Sequence, residues 1–293
     1  MSLTVTLDVR SELGECPLWS VEEQALYFVD IKGRALHRFE SVKGAHRTFA
    51  MPEEIGCIGL RKGGGFIAGF RSSLWLLDAD GNRTQKLADN PEDQRTSRFN
   101  DGRIDPAGRF LAGTIDEPKD GGKAHLYRYD ARGLATLVGG LLTSNGVAFS
   151  PDGRILYHSD TPTFTVWRYA YDPATGEATD KTLFVRLQPT ETDRGRPDGA
   201  AVDVEGCYWT ALFEGGRIQR YSPEGRLLVE YPVPARCPTM VCFGGADLKT
   251  LYVTSARTGR SDDELRAYPH SGSLFSMPVD VPGLPEYKFD HSI

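Results

Sequence analysis

The chain has no apolar run near the roughly 18 residues that a membrane-spanning helix needs, so a helical membrane protein is excluded. It has no basic excess: Lys and Arg number 34 against 40 Asp and Glu, a formal net charge of −6, which argues against nucleic acid as a partner. It lacks CxxC spacing, and its five cysteines (Cys16, Cys57, Cys207, Cys237, Cys242) are too sparse and too odd in number for a disulfide framework. They read as reduced thiols of a cytoplasmic protein. The first residues show no basic segment leading into an apolar stretch, so no secretory signal is expected. The six histidines show neither HxH nor HExxH spacing, and there is no GxSxG elbow or phosphate-binding Gly loop ending in Lys. No segment sustains a helical period, and no shift in composition marks a boundary. The 293 residues are therefore expected to form one domain, 1–293.

What is present is a repeat. Residues 144–160, SNGVAFSPDGRILYHSD, combine a small polar pair, an apolar strand, a Ser-Pro-Asp-Gly turn and a second strand. Pro presets φ in such a turn and Gly153 accepts a positive one. Turn-plus-strand copies recur at residues 20–30, 61–70, 105–114, 150–160, 203–212 and 245–255. With Leu26, Phe66, Phe110, Leu156, Tyr208 and Leu251 as equivalents, the spacings are 40, 44, 46, 52 and 43 residues. Further short strands follow most copies, giving about four strands per unit, and this period is the mark of a β-propeller. Six copies predict an all-β, six-bladed β-propeller. The opening strand, residues 3–9, is expected to complete the last blade and close the ring.

Polar residues recur ahead of these hairpins. Glu15 and Asn145 lie 11 residues before their reference positions, and Asn100 and Asp198 lie 10 before theirs. The other two copies carry Gly56 or Cys57, and Pro238 or Thr239, so no acid or amide. Superposed blades would bring four oxygen-bearing side chains to one end of the central channel. Converging carboxylates need a counter-charge. A divalent cation with oxygen ligands supplies it, and Ca²⁺, Mn²⁺, Mg²⁺ and Zn²⁺ all suit. Taken singly, each residue would more simply bond backbone groups at a strand start; four in register favour the metal. Arg98, two residues before Asn100, would share its face and meet an oxygen-rich substrate or form a structural ion pair. Asp101, Asp152 and Asp160 read as partners of backbone amides, and His158 as a core histidine. The loop DEPKDGGK at residues 116–123 reads as solvated, apart from Glu117.

Five blocks resemble a known family: LGECPLW (13–19), RFNDGRIDPAGRF (98–110), SNGVAFSPDG (144–153), RPDGAAVDVEGCYW (196–209) and CFGGADLKTLYVTSAR (242–257). They are similar to senescence marker protein, or regucalcin, and to the bacterial gluconolactonases, in the family's order along nearly the whole chain. The resemblance implies one divalent metal (Ca²⁺, Zn²⁺, Mn²⁺, Mg²⁺ or Fe²⁺) near the channel axis, held by Glu15, Asn145 and Asp198. It implies substrate contacts from Arg98 and Asn100, with Glu117 as the matching loop acid, although Pro118 and the Gly pair alter that loop. The expected activity is hydrolysis of a sugar (aldonic acid) lactone, with Asp198 assisting attack by water. A promiscuous esterase or phosphotriesterase, or a calcium-binding propeller without turnover, are the alternatives. The end of the chain looks closer to the bacterial pentonolactone and hexonolactone enzymes than to the animal protein.

Overall fold

The computed structural model describes residues 2–290 and 292. Its strands form six four-stranded antiparallel sheets, each made of strands consecutive in sequence apart from the last. The first blade comprises β1's neighbours in sequence, β2 (Gly14–Ser20), β3 (Ala25–Asp30), β4 (Ala35–Glu40) and β5 (Ala45–Ala50), where β1 is Thr4–Leu7. The second comprises β6 (Ile55–Leu60), β7 (Phe66–Phe70), β8 (Ser73–Leu77) and β9 (Arg83–Asp89). The third comprises β10 (Ser97–Ile104), β11 (Phe110–Asp116), β12 (Ala124–Asp130) and β13 (Gly133–Leu141). The fourth comprises β14 (Ser144–Phe149), β15 (Ile155–Asp160), β16 (Thr165–Asp172) and β17 (Glu177–Arg186). The fifth comprises β18 (Arg196–Val202), β19 (Tyr208–Phe213), β20 (Arg217–Tyr221) and β21 (Leu227–Pro232). The sixth joins β22 (Pro238–Gly244), β23 (Thr250–Ser255) and β24 (Leu274–Pro278) to β1, which pairs antiparallel with β24. This is the expected six-bladed propeller, closed by the opening strand.

The inner strands β2, β6, β14 and β22 are buried throughout, whereas β5 and β21 at the outer edge are largely exposed. Aromatic side chains fill the seams between blades. Trp19 stacks on Tyr252, Tyr157 packs on Tyr208, and Trp209 meets Phe243 edge-on, with centroids 5.9, 5.1 and 5.7 Å apart. A single sheet has no such partner on its faces, so ring closure supplies the core. Gly153 sits at φ 70° in its turn, as that turn chemistry requires.

The repeat does not extend to one short helix, α1 (Asp262–Ala267), between β23 and β24. Ser261 caps it by accepting the Glu264 amide, and Asp262, Asp263 and Glu264 occupy the first turn, where acids complement the helix dipole. Six residues are too few to register as a helical period.

After β24 the chain runs across one end of the channel. Val204 N donates to Pro282 O, Lys62 N to Phe289 O, and Asp290 N to Gly108 O, so the tail is tied to the fifth, second and third blades in turn. Arg103, partly buried near the end of β10, bonds Glu286 Oε1 at 3.2 Å and Ala200 O at 2.9 Å. That end is covered; the cavity described next lies at the other.

Candidate active site

A bulge or irregularity in pairing recurs near the start of each inner strand, between Glu15 and Leu18, Ile55 and Cys57, Phe99 and Gly102, Asn145 and Ala148, Pro197 and Ala200, and Pro238 and Val241. Such bulges re-aim side chains out of the regular alternation. Trp19, Leu60, Ile104, Phe149, Val202 and Phe243 pair with the six reference residues of the hairpins. Counting four residues back from each gives Glu15, Gly56, Asn100, Asn145, Asp198 and Thr239. The strand register thus decides the two positions that spacing left open. Gly56 has a structural cause: a Cβ built there would lie 2.1 Å from Phe99 O, so no side chain fits.

Glu15, Arg98, Asn100, Asn145 and Asp198 all line one cavity of about 580 Å³, open to solvent, together with Lys119, Thr161, Arg196, Phe213 and others. A hydrogen-bonded row crosses it. Arg98 Nη1 donates to Asn100 Oδ1 at 2.7 Å, and Asn100 Nδ2 donates to Asn145 Oδ1 at 2.7 Å. Asn145 Nδ2 donates to Asp198 Oδ1 at 2.6 Å and to Thr161 Oγ1 at 2.7 Å. The row runs from a cation to a carboxylate, every amide oriented by the next, which holds both asparagines in one flip state.

Burial, then the carboxylates of Asp198 and Asp101, holds the Glu15 pKa well above the usual range. Burial and then Asp101 do the same to Asp198. Asp101 on β10 is itself pushed up to about 6 by burial. One oxygen of Asp101 accepts the Val147 amide at 3.0 Å; the other, Oδ1, is buried without a donor. Sequence spacing paired Asp101 with backbone amides, and that accounts for only half of its carboxylate. Oxygen donors in excess of protons and cations suit a hard divalent ion.

Glu117 is absent from the cavity lining. It takes two bonds from Arg71, at 2.8 and 3.2 Å, and lies 3.9 Å from Arg98 Nε, so its charge reaches the cavity through these arginines. Lys119, two residues on, lines the cavity instead. Spacing gave no reason to single out Lys119, Arg196 or Thr161. His158 is fully buried, with Nε2 bonded to Ser144 Oγ at 2.8 Å, and burial lowers its pKa to about 3, as befits a core residue. Asp160 accepts the Leu142 and Thr143 amides, and Asp152 accepts the Arg154 amide, matching their expected roles.

A second acidic group, Asp203, Glu205 and Cys207, lies in the hairpin turn of the fifth blade. Its carboxylates are already met: Arg220 lies 2.7 Å from both Asp203 and Glu205, and Asp203 also takes the Trp209 indole N–H at 2.8 Å. It serves the turn. The five cysteines are free and buried.

Comparison with known proteins gives a consistent result. The model of the SMP-30/Gluconolactonase/LRE-like region matches residues 13–257. A 6-deoxy-6-sulfogluconolactonase of Pseudomonas putida is 50% identical over 99% of both chains, and pentonolactonase XacC of Haloferax volcanii is 35% identical over 99% of both. The crystal structure of a calcium-binding protein, regucalcin, from Agrobacterium tumefaciens superposes with a TM-score of 0.92 at 28% identity, covering 98% of this chain and 96% of that one.

Proposed function

Because the chain belongs to the SMP-30/Gluconolactonase/LRE-like family, we propose that it is a divalent-cation-dependent lactonase that hydrolyses a sugar (aldonic acid) lactone to the free acid. Its lactonase relatives support hydrolysis of this ester class. The observation that carries the metal and the residue roles is the convergence of Glu15, Asn145 and Asp198 in one cavity, where burial and repulsion from neighbouring carboxylates raise the pKa of both carboxyl groups.

Glu15, Asn145 and Asp198 would hold the cation, whose chemistry is Lewis-acid polarisation of the lactone carbonyl and relief of charge on its oxygen. Asn145 is oriented for this by its neighbours, since its Nδ2 hydrogens go to Asp198 and Thr161. Asp198 Oδ1 is engaged by that amide, which leaves Oδ2 to take the proton of the attacking water. Burial favours proton uptake there. Arg98 and Asn100 orient the sugar hydroxyls, with Glu117 and Arg71 fixing the direction of Arg98 from behind. Water adds at the carbonyl carbon as Asp198 takes its proton, the ring C–O bond breaks, and the ring oxygen leaves as a hydroxyl on receiving that proton.

The test is pH-indicator hydrolysis of several aldonolactones above the spontaneous rate, on chelated protein with Ca²⁺, Mn²⁺, Mg²⁺, Zn²⁺ or Fe²⁺ restored one at a time. Turnover should return with the cation and be lost, by at least about a thousandfold, in folded Asp198→Ala. Undiminished turnover in that variant with metal bound removes Asp198 from the mechanism. Hydrolysis of aryl esters or organophosphates in preference to lactones favours the esterase reading.

A further inference from the structure

The lactonase reading leaves two cavity-lining cations without work. Lys119 sits at the start of the loop beyond β11, with a left-handed backbone φ of 58° that disfavours a side-chain-bearing residue. Among the described residues its ammonium has no ion pair or hydrogen bond. Other basic residues around this end do have partners: Lys32 meets Glu54 at 2.8 Å, and Arg71 spans Glu54 and Glu117. Burial, then the charges of Arg196 and Arg98, lowers the Lys119 pKa, and the more weakly acting Glu214 and Asp198 offset only part of this.

Arg196, at the first position of β18, is the second. It bonds Glu214 Oε2 at 2.9 Å, but Arg260 claims the other oxygen of the same carboxylate at 3.0 Å. Arg196 thus shares its one close carboxylate with a second guanidinium, although Arg260 also has Glu264 at 3.7 Å. Both guanidiniums also lie against the Phe213 ring, 5.1 and 5.8 Å from its centroid, which fixes them as a rigid group. The Arg196 Nε is buried with no acceptor. Among the described residues that line the cavity, Glu15 and Asp198 are the only acids, and in the proposed enzyme a divalent cation answers them. Lys119 then stands with no paired acid, beside an Arg196 whose Glu214 partner is shared with Arg260. A neutral sugar brings hydroxyl groups, which leave this excess charge unanswered. An anionic substituent would neutralise it and give the free Lys119 and Arg196 donors an acceptor.

We propose that Lys119 and Arg196 form an anion subsite of the lactone cavity, so that the substrate is a sugar lactone bearing a sulfonate, phosphate or carboxylate away from its carbonyl. This deepens the lactonase reading and rests on it. Glu214, Arg260 and Phe213 are positioning residues, acting on Arg196.

The experiment measures kcat/KM for D-gluconolactone and its 6-deoxy-6-sulfo, 6-phospho and 6-carboxylate (glucarolactone) counterparts, using metal-loaded wild type, Lys119→Met and Lys119→Arg. Wild type should prefer at least one anionic lactone by tenfold or more, and the member preferred identifies the anion. The preference should shrink about tenfold in Lys119→Met, recover in Lys119→Arg, and weaken with added salt. A ratio of anionic to neutral kcat/KM that Lys119→Met leaves within twofold of wild type overturns the subsite. Titration calorimetry with 6-deoxy-6-sulfogluconate and gluconate reads the subsite without turnover. Tighter binding of the sulfonate that is lost in Lys119→Met upholds it, even for a protein that hydrolyses no lactone; equal binding of the two acids overturns it, even for one that does.

Discussion

Asp101 offers a perturbation whose size can be worked from the structure. Its carboxyl is buried and its pKa is raised from 3.8 to about 6, so the folded protein holds a proton that the unfolded chain has released in that interval. A raised acid lends stability in its protonated form, and that stability is lost as pH climbs from near 4 through 6. A shift of about two units corresponds to roughly 3 kcal/mol. Asp101→Asn has no such proton to lose, and its amide oxygen can still accept the Val147 N–H. The substitution also removes a charge that raises the pKa of both Glu15 and Asp198. In chelator, the variant should therefore match wild type near pH 4 and exceed it by roughly 3 kcal/mol above pH 7. For a chain of this length that is a gain in Tm of roughly 6 °C. Thermal melts followed by circular dichroism at pH 4.5, 6 and 8 measure it. A Tm difference independent of pH, or a variant less stable than wild type at pH 8, would refute the reasoning.

Two further outcomes follow from packing and from the loop. Gly56→Ala forces a methyl group onto Phe99 O and should cost about 3 kcal/mol in denaturant unfolding, whereas Gly44→Ala, which meets nothing within 4 Å at φ 64°, should cost about 1 kcal/mol. Arg71→Gln removes the two bonds that hold Glu117; steady-state kinetics should show KM for the lactone rising several-fold with a smaller change in kcat, because the damage reaches substrate only through Arg98.

The propeller was legible because its signal is redundant. Six turn-and-strand copies recur at similar spacing, so an irregular copy such as residues 61–70 does not hide the rest. The ring of Glu15, Asn100, Asn145 and Asp198 was legible for the same reason, since equivalent positions in superposed blades must converge. What spacing missed depends on contacts across the chain. Lys119 and Glu117 differ by two residues in a loop outside the repeat, and it is Lys32, Arg71 and Arg98, distant in sequence, that decide which of them is spoken for. Asp101 adjoins Asn100 in sequence, yet its unpaired oxygen depends on which amides of β14 arrive beside it. The helix α1 falls in the one long connection between strands of the same blade, where the period has nothing to say.

Closure of the ring also sets a timetable for synthesis. Thr4 bonds Ser276, 272 residues downstream. At about 5–20 residues per second, β1 emerges roughly 14–54 s before the residue it needs. Five blades can form in order behind it, each from contiguous strands, while the first strand waits unpaired and the sixth blade lacks its outer edge. The final event is then a pairing of the two ends of the chain, with nearly the largest loop closure this length allows. A nascent chain arrested before β24 would hold most of its blades and no ring, with β1 free to pair with a strand edge of another molecule.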